Sequence, residues 1–195
     1  MIPLLLGLAI FLGMHAFSRN RAARANLIAS KGEPFYKMFY SLVSLLGLSL
    51  LVYGYSFYRS QGLIPVWDPP RGLAHLAFLL VWLAFILMAA AYLPGRIKAR
   101  AKHPMLAAVK LWAFGHLLAN GDLGSILMFG AFLGWAVYAR IALKKAERAE
   151  GITPGAAMVG SSRNDIIAIV LGTAATAAFI LWLHTLLIGV AIIGR

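Results

Sequence analysis

Six apolar runs, separated by short polar connections, dominate the chain. They are Ile2–Phe17, Phe39–Tyr58, Leu73–Leu93, Met105–Leu118, Leu123–Tyr138 and Ile166–Ile193. All are rich in Leu, Ala, Phe and Trp, and none shows the short alternating strands of a membrane barrel. Each therefore predicts a helix. Two runs are comfortably long for a span of ~20 residues and three are marginal, while Met105–Leu118 is short for a full crossing. The pattern predicts an all-α, polytopic membrane helix bundle with about six transmembrane helices. Five spans plus a re-entrant hairpin is the alternative. One integral membrane domain over residues 1–195 is expected. The first run carries its charges after the apolar stretch, at Arg19, Arg21 and Arg24, which favours a retained helix over a cleaved leader.

Charge sets the expected orientation. The first connection holds Arg19, Arg21, Arg24, Lys31 and Lys37, and the third Arg96, Lys98, Arg100 and Lys102. The fifth holds Arg140, Lys144, Lys145, Arg148 and Arg163. Arg59 and Arg71 are the cations of the second, and the fourth holds only Asp122. Rich and poor connections alternate, so the first, third and fifth are expected on the cytoplasmic side, with both termini outside. A bacterial inner (cytoplasmic) membrane fits that asymmetry. The longest loop is read at Ala146–Asn164, and Pro65, Pro69 and Pro70 mark an outer loop at Val66-Trp67-Asp68.

Composition agrees with the pattern. The 195 residues are 62% hydrophobic and 12% charged, which excludes an ordinary soluble domain and a disordered chain. Six spans would use about 120 residues and leave roughly 75 for connections, too few for a water-soluble domain. The formal net charge of +12 comes from clusters beside apolar runs, a pattern that points to the lipid bilayer and not to nucleic acid. There is no cysteine, so disulfides, Cys-type zinc or iron–sulfur sites and thiolate haem ligation are excluded.

Ionisable residues inside membrane helices are costly and tend to be functional. His15, His75, Lys110, His116, Asp122 and His184 are the candidates, with His103 at the cytoplasmic edge. The densest constellation is Lys102–Gly124. There His116 has Trp112 one turn before it, and Ala113 and Asn120 on the same helical face. A histidine with a small neighbour and an aromatic wall suits a haem pocket; a histidine hydrogen-bonded to a neighbouring helix gives the same pattern. His116 lies six residues beyond Lys110, about 9 Å along a helix, and His15 four residues before Arg19, about 6 Å. Similar depths would let both serve one iron. Lys110 could instead snorkel to the surface. Asn120-Gly121-Asp122 reads as an outer turn. Glu147 and Glu150 read as a solvated face paired with Lys144 or Lys145. Gly130–Gly134 is a GxxxG and Gly172–Ala178 a small-residue stretch, either of which permits close helix contact within the chain or a homodimer.

The segment HPMLAAVKLWAFGHLLANGD, His103–Asp122, resembles the NnrU family of bacterial membrane proteins, as do FLGMHAFSRNR at Phe11–Arg21 and the Trp67-Asp68 loop. The resemblance covers essentially the whole chain. It implies a link to denitrification and nitric oxide metabolism. The family is in turn similar to the plant zeta-carotene isomerase, a haem b membrane enzyme that isomerises a polyene. That similarity implies His15 and His116 as haem ligands. A further cysteine ligand of that enzyme falls at Ala113, so a Cys/His ligand switch cannot operate here. Lys110 or nearby arginines would pair with the propionates, beside Trp112 and Asn120. A more distant similarity, to isoprenylcysteine methyltransferases, implies S-adenosylmethionine held near Lys102-His103-Pro104 with Glu147 and Glu150. Three readings follow: a haem b protein acting on a hydrophobic small molecule or nitric oxide, a non-enzymatic accessory factor for denitrification, or a membrane methyltransferase.

Overall fold

A computed structural model describes residues 1–152 and 160–192. The helices are α1 (Ile2–Arg19), α2 (Arg21–Lys31), α3 (Glu33–Ser60), α4 (Arg71–Ala90), α5 (Arg96–Ala101), α6 (Pro104–Ala119), α7 (Leu123–Ala149), α8 (Ser162–Ala178) and α9 (His184–Ile188). A π-helical segment, Phe179–Leu183, joins α8 to α9. Five stretches are long and apolar enough to cross a membrane: Ile2–Arg19, Glu33–Ser60, Arg71–Tyr92, Leu123–Ala149 and Ser162–Ile188. Pro104–Ala119 is apolar but has 16 residues, about 24 Å of helix against ~30 Å of hydrocarbon. The chain is therefore a polytopic helical membrane protein. Residues 153–159 of the expected long loop, and Ile193 at the end of the sixth run, lie outside the described residues.

Two elements differ from the sequence expectation. The first connection contains a helix, α2. Its Ala, Arg, Leu and Lys are good helix formers although no apolar run marks them. Asn20 caps it by accepting the Ala23 backbone N–H at 3.1 Å. The fifth run does not stop at Tyr138. Its helix continues through Arg140, Lys144 and Lys145 to Ala149, because long cationic side chains can cover apolar surface while their charges reach water.

The chain forms two compact units, Met1–Pro69 with Asn120–Lys144, and Pro70–Ala119 with Lys145–Arg195. In the first, α1 and α3 run antiparallel at very close range. A Cβ on Gly7 would overlap the Leu51 backbone, one on Gly54 the Leu4 backbone, and one on Gly47 would stand 2.6 Å from the Phe11 nitrogen. Residue numbers rise on one helix as they fall on the other, so three glycines place the two backbones in contact along the crossing. The α7 helix joins through Phe132, 6.0 Å from Phe11, and through Tyr55 Oη, 2.8 Å from Ser125 Oγ. Ser125 is fully buried.

The α3–α4 loop pairs with the α6–α7 turn in the same unit. Gly121 O accepts the Val66 and Trp67 N–H groups at 2.8 and 3.1 Å, and the Leu123 N–H donates to Ile64 O at 2.9 Å. A side chain at Gly121 would overlap the Trp67 carbonyl. Asn120–Asp122 is a turn, and Asp122 caps α7 by accepting the Ser125 N–H at 2.9 Å. These two cation-poor connections thus lie at one end of the unit.

In the second unit α4 packs against α6 and α8. Gly172 of the small-residue stretch meets the Ile86 backbone, and Trp82 Nε1 donates to Thr173 Oγ1 at 2.9 Å. Short α5 is capped from a distance, its Arg96 and Ile97 N–H groups donating to the Asp165 carboxylate at 3.1 and 2.9 Å. Among the described residues, nothing from another element comes within 4 Å of where a Cβ on Gly130 or Gly134 of the α7 GxxxG would be.

Candidate functional site

In the first unit His15 lies near the end of α1 with its ring half-buried among aromatics. Phe11 is 4.3 Å away by ring centroids, Tyr40 5.4 Å, and Trp135 5.7 Å in an edge-on arrangement. Three elements build this setting, since Tyr40 comes from α3 and Trp135 from α7. His15 Nδ1 lies 2.7 Å from Phe11 O, one turn back along the helix. A carbonyl oxygen only accepts, so Nδ1 carries a proton.

His116 in the second unit repeats the local arrangement. Its Nδ1 lies 2.8 Å from Trp112 O, and the two rings are 5.2 Å apart. Again the donor is Nδ1. Ala113, fully buried, and Gly115, whose Cβ would approach Ala77 O to 3.2 Å, bring α4 close to this stretch of α6. Lys110 is half-buried on the same helix. Asn120 follows the last residue of α6 and opens the turn to α7. This backbone tie is the one that histidine ligands of metals make through their second nitrogen, and it fixes the tautomer that a ligand needs. His184 shares it, with Nδ1 2.8 Å from Val190 O. His75 is exposed near the start of α4. Among the described residues no group of three or more His, Cys, Asp or Glu could hold a metal ion, so a metal group here would rest on pairs or single side chains.

A second polar cluster was read differently from the sequence. Glu147 does not lie on a solvated face with Lys144 or Lys145. It is buried, and its Oε1 lies 2.6 Å from His103 Nε2. His103 stands just before α6, after Lys102, whose φ of 61° places it in the left-handed region that non-glycine residues rarely adopt. This turn aims the imidazole at α7. A signal for it exists in the sequence: Ser125, Met128, Phe132, Ala136, Ala139, Leu143 and Glu147 fall at successive helical spacings of three and four. Ser125, Met128, Ala136 and Ala139 of that stripe are buried, so Glu147 extends an inward-facing row.

Against known proteins, the family described as NnrU protein matches over residues 3–192, nearly the whole chain. No curated protein matches the chain, and no solved structure does.

Proposed function

The chain belongs to the NnrU family, and from that premise we propose that it is a haem b protein of the bacterial inner membrane. Its iron ligands are His15 and His116, and its role lies in nitric oxide metabolism linked to denitrification or in cis–trans isomerisation of a polyene such as zeta-carotene. The observation that supports this reading is the shared tautomer. Both histidines spend Nδ1–H on a backbone carbonyl one turn back, at 2.7 and 2.8 Å, which makes Nε2 the ring nitrogen that would meet the iron.

The surrounding side chains suit the same group. Phe11, Tyr40 and Trp135 around His15 keep its ring orientation fixed and its surroundings dry. Trp112 offers His116 a flat apolar wall. Lys110 supplies a cation for a propionate. When bound, haem would supply a redox-active iron, which could take nitric oxide or a polyene double bond only where His15 or His116 gives up its place. The protein's part is to set ligand identity, exclude water and hold a hydrophobic substrate within the bilayer. If α6 crosses as a sixth, short span, both termini lie outside and the cation-rich connections in the cytoplasm.

The deciding experiment is an absorption spectrum of detergent-purified protein from haem-replete cells, oxidised and then dithionite-reduced. A Soret band with sharp reduced α and β bands is expected, lost in His116→Ala. A colourless protein even after added haemin would overturn the reading and favour an accessory role, which co-purification with a reductase subunit would support.

One observation favours a second reading, a membrane methyltransferase. The two side chains that it assigns to S-adenosylmethionine, His103 and Glu147, are in contact. Calorimetry with S-adenosylmethionine on the solubilised protein tests it, and an absence of heat would remove it.

A further inference from the structure

The loop between α3 and α4 presents a row of large apolar side chains that the chain leaves uncovered. Leu63 is 54% exposed, Ile64 50%, Val66 58% and Trp67 39%. A flexible polar connection would fold such side chains inward or do without them. Here the backbone is pinned and cannot turn them away. Ile64 N–H donates to Tyr58 Oη at 3.0 Å, Ile64 O accepts from Leu123, and Gly121 O holds Val66 and Trp67 together. Pro65, Pro69 and Pro70 remove further freedom.

The position of the loop decides what covers these side chains. It leaves one candidate span at Ser60 and enters the next at Arg71. Arg59 and Arg71 flank it, cations of the kind that sit at phosphate level. Tyr53 and Phe57, in the last turns of α3 just before the loop, are exposed as well. Tryptophan with a neighbouring acid, prolines and aliphatic residues matches the headgroup region, where one end of a side chain is apolar and the other wet.

We propose that this loop is an interfacial anchor, with Leu63, Ile64, Val66 and Trp67 seated in the headgroup layer of the bilayer that α3 and α4 cross. The pinned backbone keeps the α6–α7 turn, through Gly121, at that same level. The anchor would set the depth of the unit in the membrane, and it does not depend on haem.

The absence of native cysteine allows a direct test. Single variants Leu63→Cys and Val66→Cys are spin-labelled and placed in nanodiscs of phosphatidylcholine and phosphatidylglycerol. Collision with oxygen, which concentrates in lipid, is compared with collision with a water-soluble nickel chelate. Leu46→Cys, at an exposed position within α3, gives the lipid reference, and Lys31→Cys on α2 gives the water reference. The expected result is loss of chelate collisions and gain of oxygen collisions at 63 and 66, shifted from the Lys31 pattern towards that of Leu46. Labels that match Lys31 would overturn the proposal by placing the loop in water. Labels shielded from both reagents would also overturn it, by showing that a second copy or another protein covers the loop.

Discussion

His103 Nε2 lies 2.6 Å from Glu147 Oε1, with 18% and 10% of the two side chains exposed. The contact ties the start of α6 to the last turn of α7. Removing one member of such a buried pair costs on the order of 3 kcal/mol. Glu147→Ala should therefore lower the unfolding temperature in detergent clearly, and Glu147→Gln, which keeps an acceptor, should lower it less. Thermal melts followed by circular dichroism check both, and equal melting of all three proteins would show that the contact contributes nothing to stability.

The glycines of the α1–α3 crossing make a contrasting pair with those of α7. A methyl group on Gly54 meets main-chain atoms of Leu4, which cannot step aside without moving α1. Overpacking of that kind costs about 1–3 kcal/mol and at times more. Gly54→Ala should thus melt well below wild type or fail to accumulate. Gly134→Ala meets no other element within 4 Å and should melt at wild type or about 2–4 °C above it, as helix propensity changes by about 1 kcal/mol in its favour. Size-exclusion chromatography of the same variant reports on a homodimer: a shift towards monomer would assign the GxxxG to contact between copies.

Apolar runs located the spans because lipid demands continuous apolar helix, and the Asn-Gly-Asp turn located the start of α7. The end of α7 was cut short at Tyr138, since Arg140 looks like the edge of a span when read by hydropathy alone. Following the helical phase to Glu147 would have revealed its burial. His15 and His116 stood out as ionisable residues in apolar runs, and their carbonyl partners four residues back were implicit in the helix. Tyr40 and Trp135 around His15 were not legible, because they come from helices distant in sequence and no local spacing links them. The close glycines Gly7, Gly47 and Gly54 are not legible for the same reason: their spacing means little until α1 and α3 are set side by side, whereas the conspicuous GxxxG meets no other element among the described residues.

Asp165 provides a further prediction. It sits in the first turn of α8 and accepts both the Arg96 and Ile97 N–H groups at the start of α5. A helix of six residues has little stability of its own, so its first turn depends on this remote cap. Loss of such a cap costs ~1 kcal/mol. In Asp165→Ala the Arg96 and Ile97 amides should exchange with deuterium roughly fivefold faster or more, the factor that ~1 kcal/mol of local opening implies. The core of α4 should keep its protection. Unchanged exchange at both amides would show that α5 is held by other contacts.

The proposed ligand role of His116 can be separated from a merely structural one by chemical rescue. In His116→Gly the side chain that carries the Nε2 lone pair is gone, yet the Trp112 carbonyl that orients it remains. Exogenous imidazole can occupy the vacated space, donate to that carbonyl and offer its other nitrogen to the iron. The variant should lose the six-coordinate reduced spectrum and recover it as imidazole is added. His15→Gly should behave likewise, since Phe11 O plays the same part there. His75→Gly should need no rescue, because its side chain is exposed near the start of α4. The identity of the added base makes the test sharp. 1-Methylimidazole keeps one ligating nitrogen but has no N–H to give the carbonyl, so it should restore the spectrum less well than imidazole does. Equal rescue by both would mean that the backbone tie does not hold the ligand. A His116→Gly spectrum identical to wild type before any addition would remove His116 from the iron altogether.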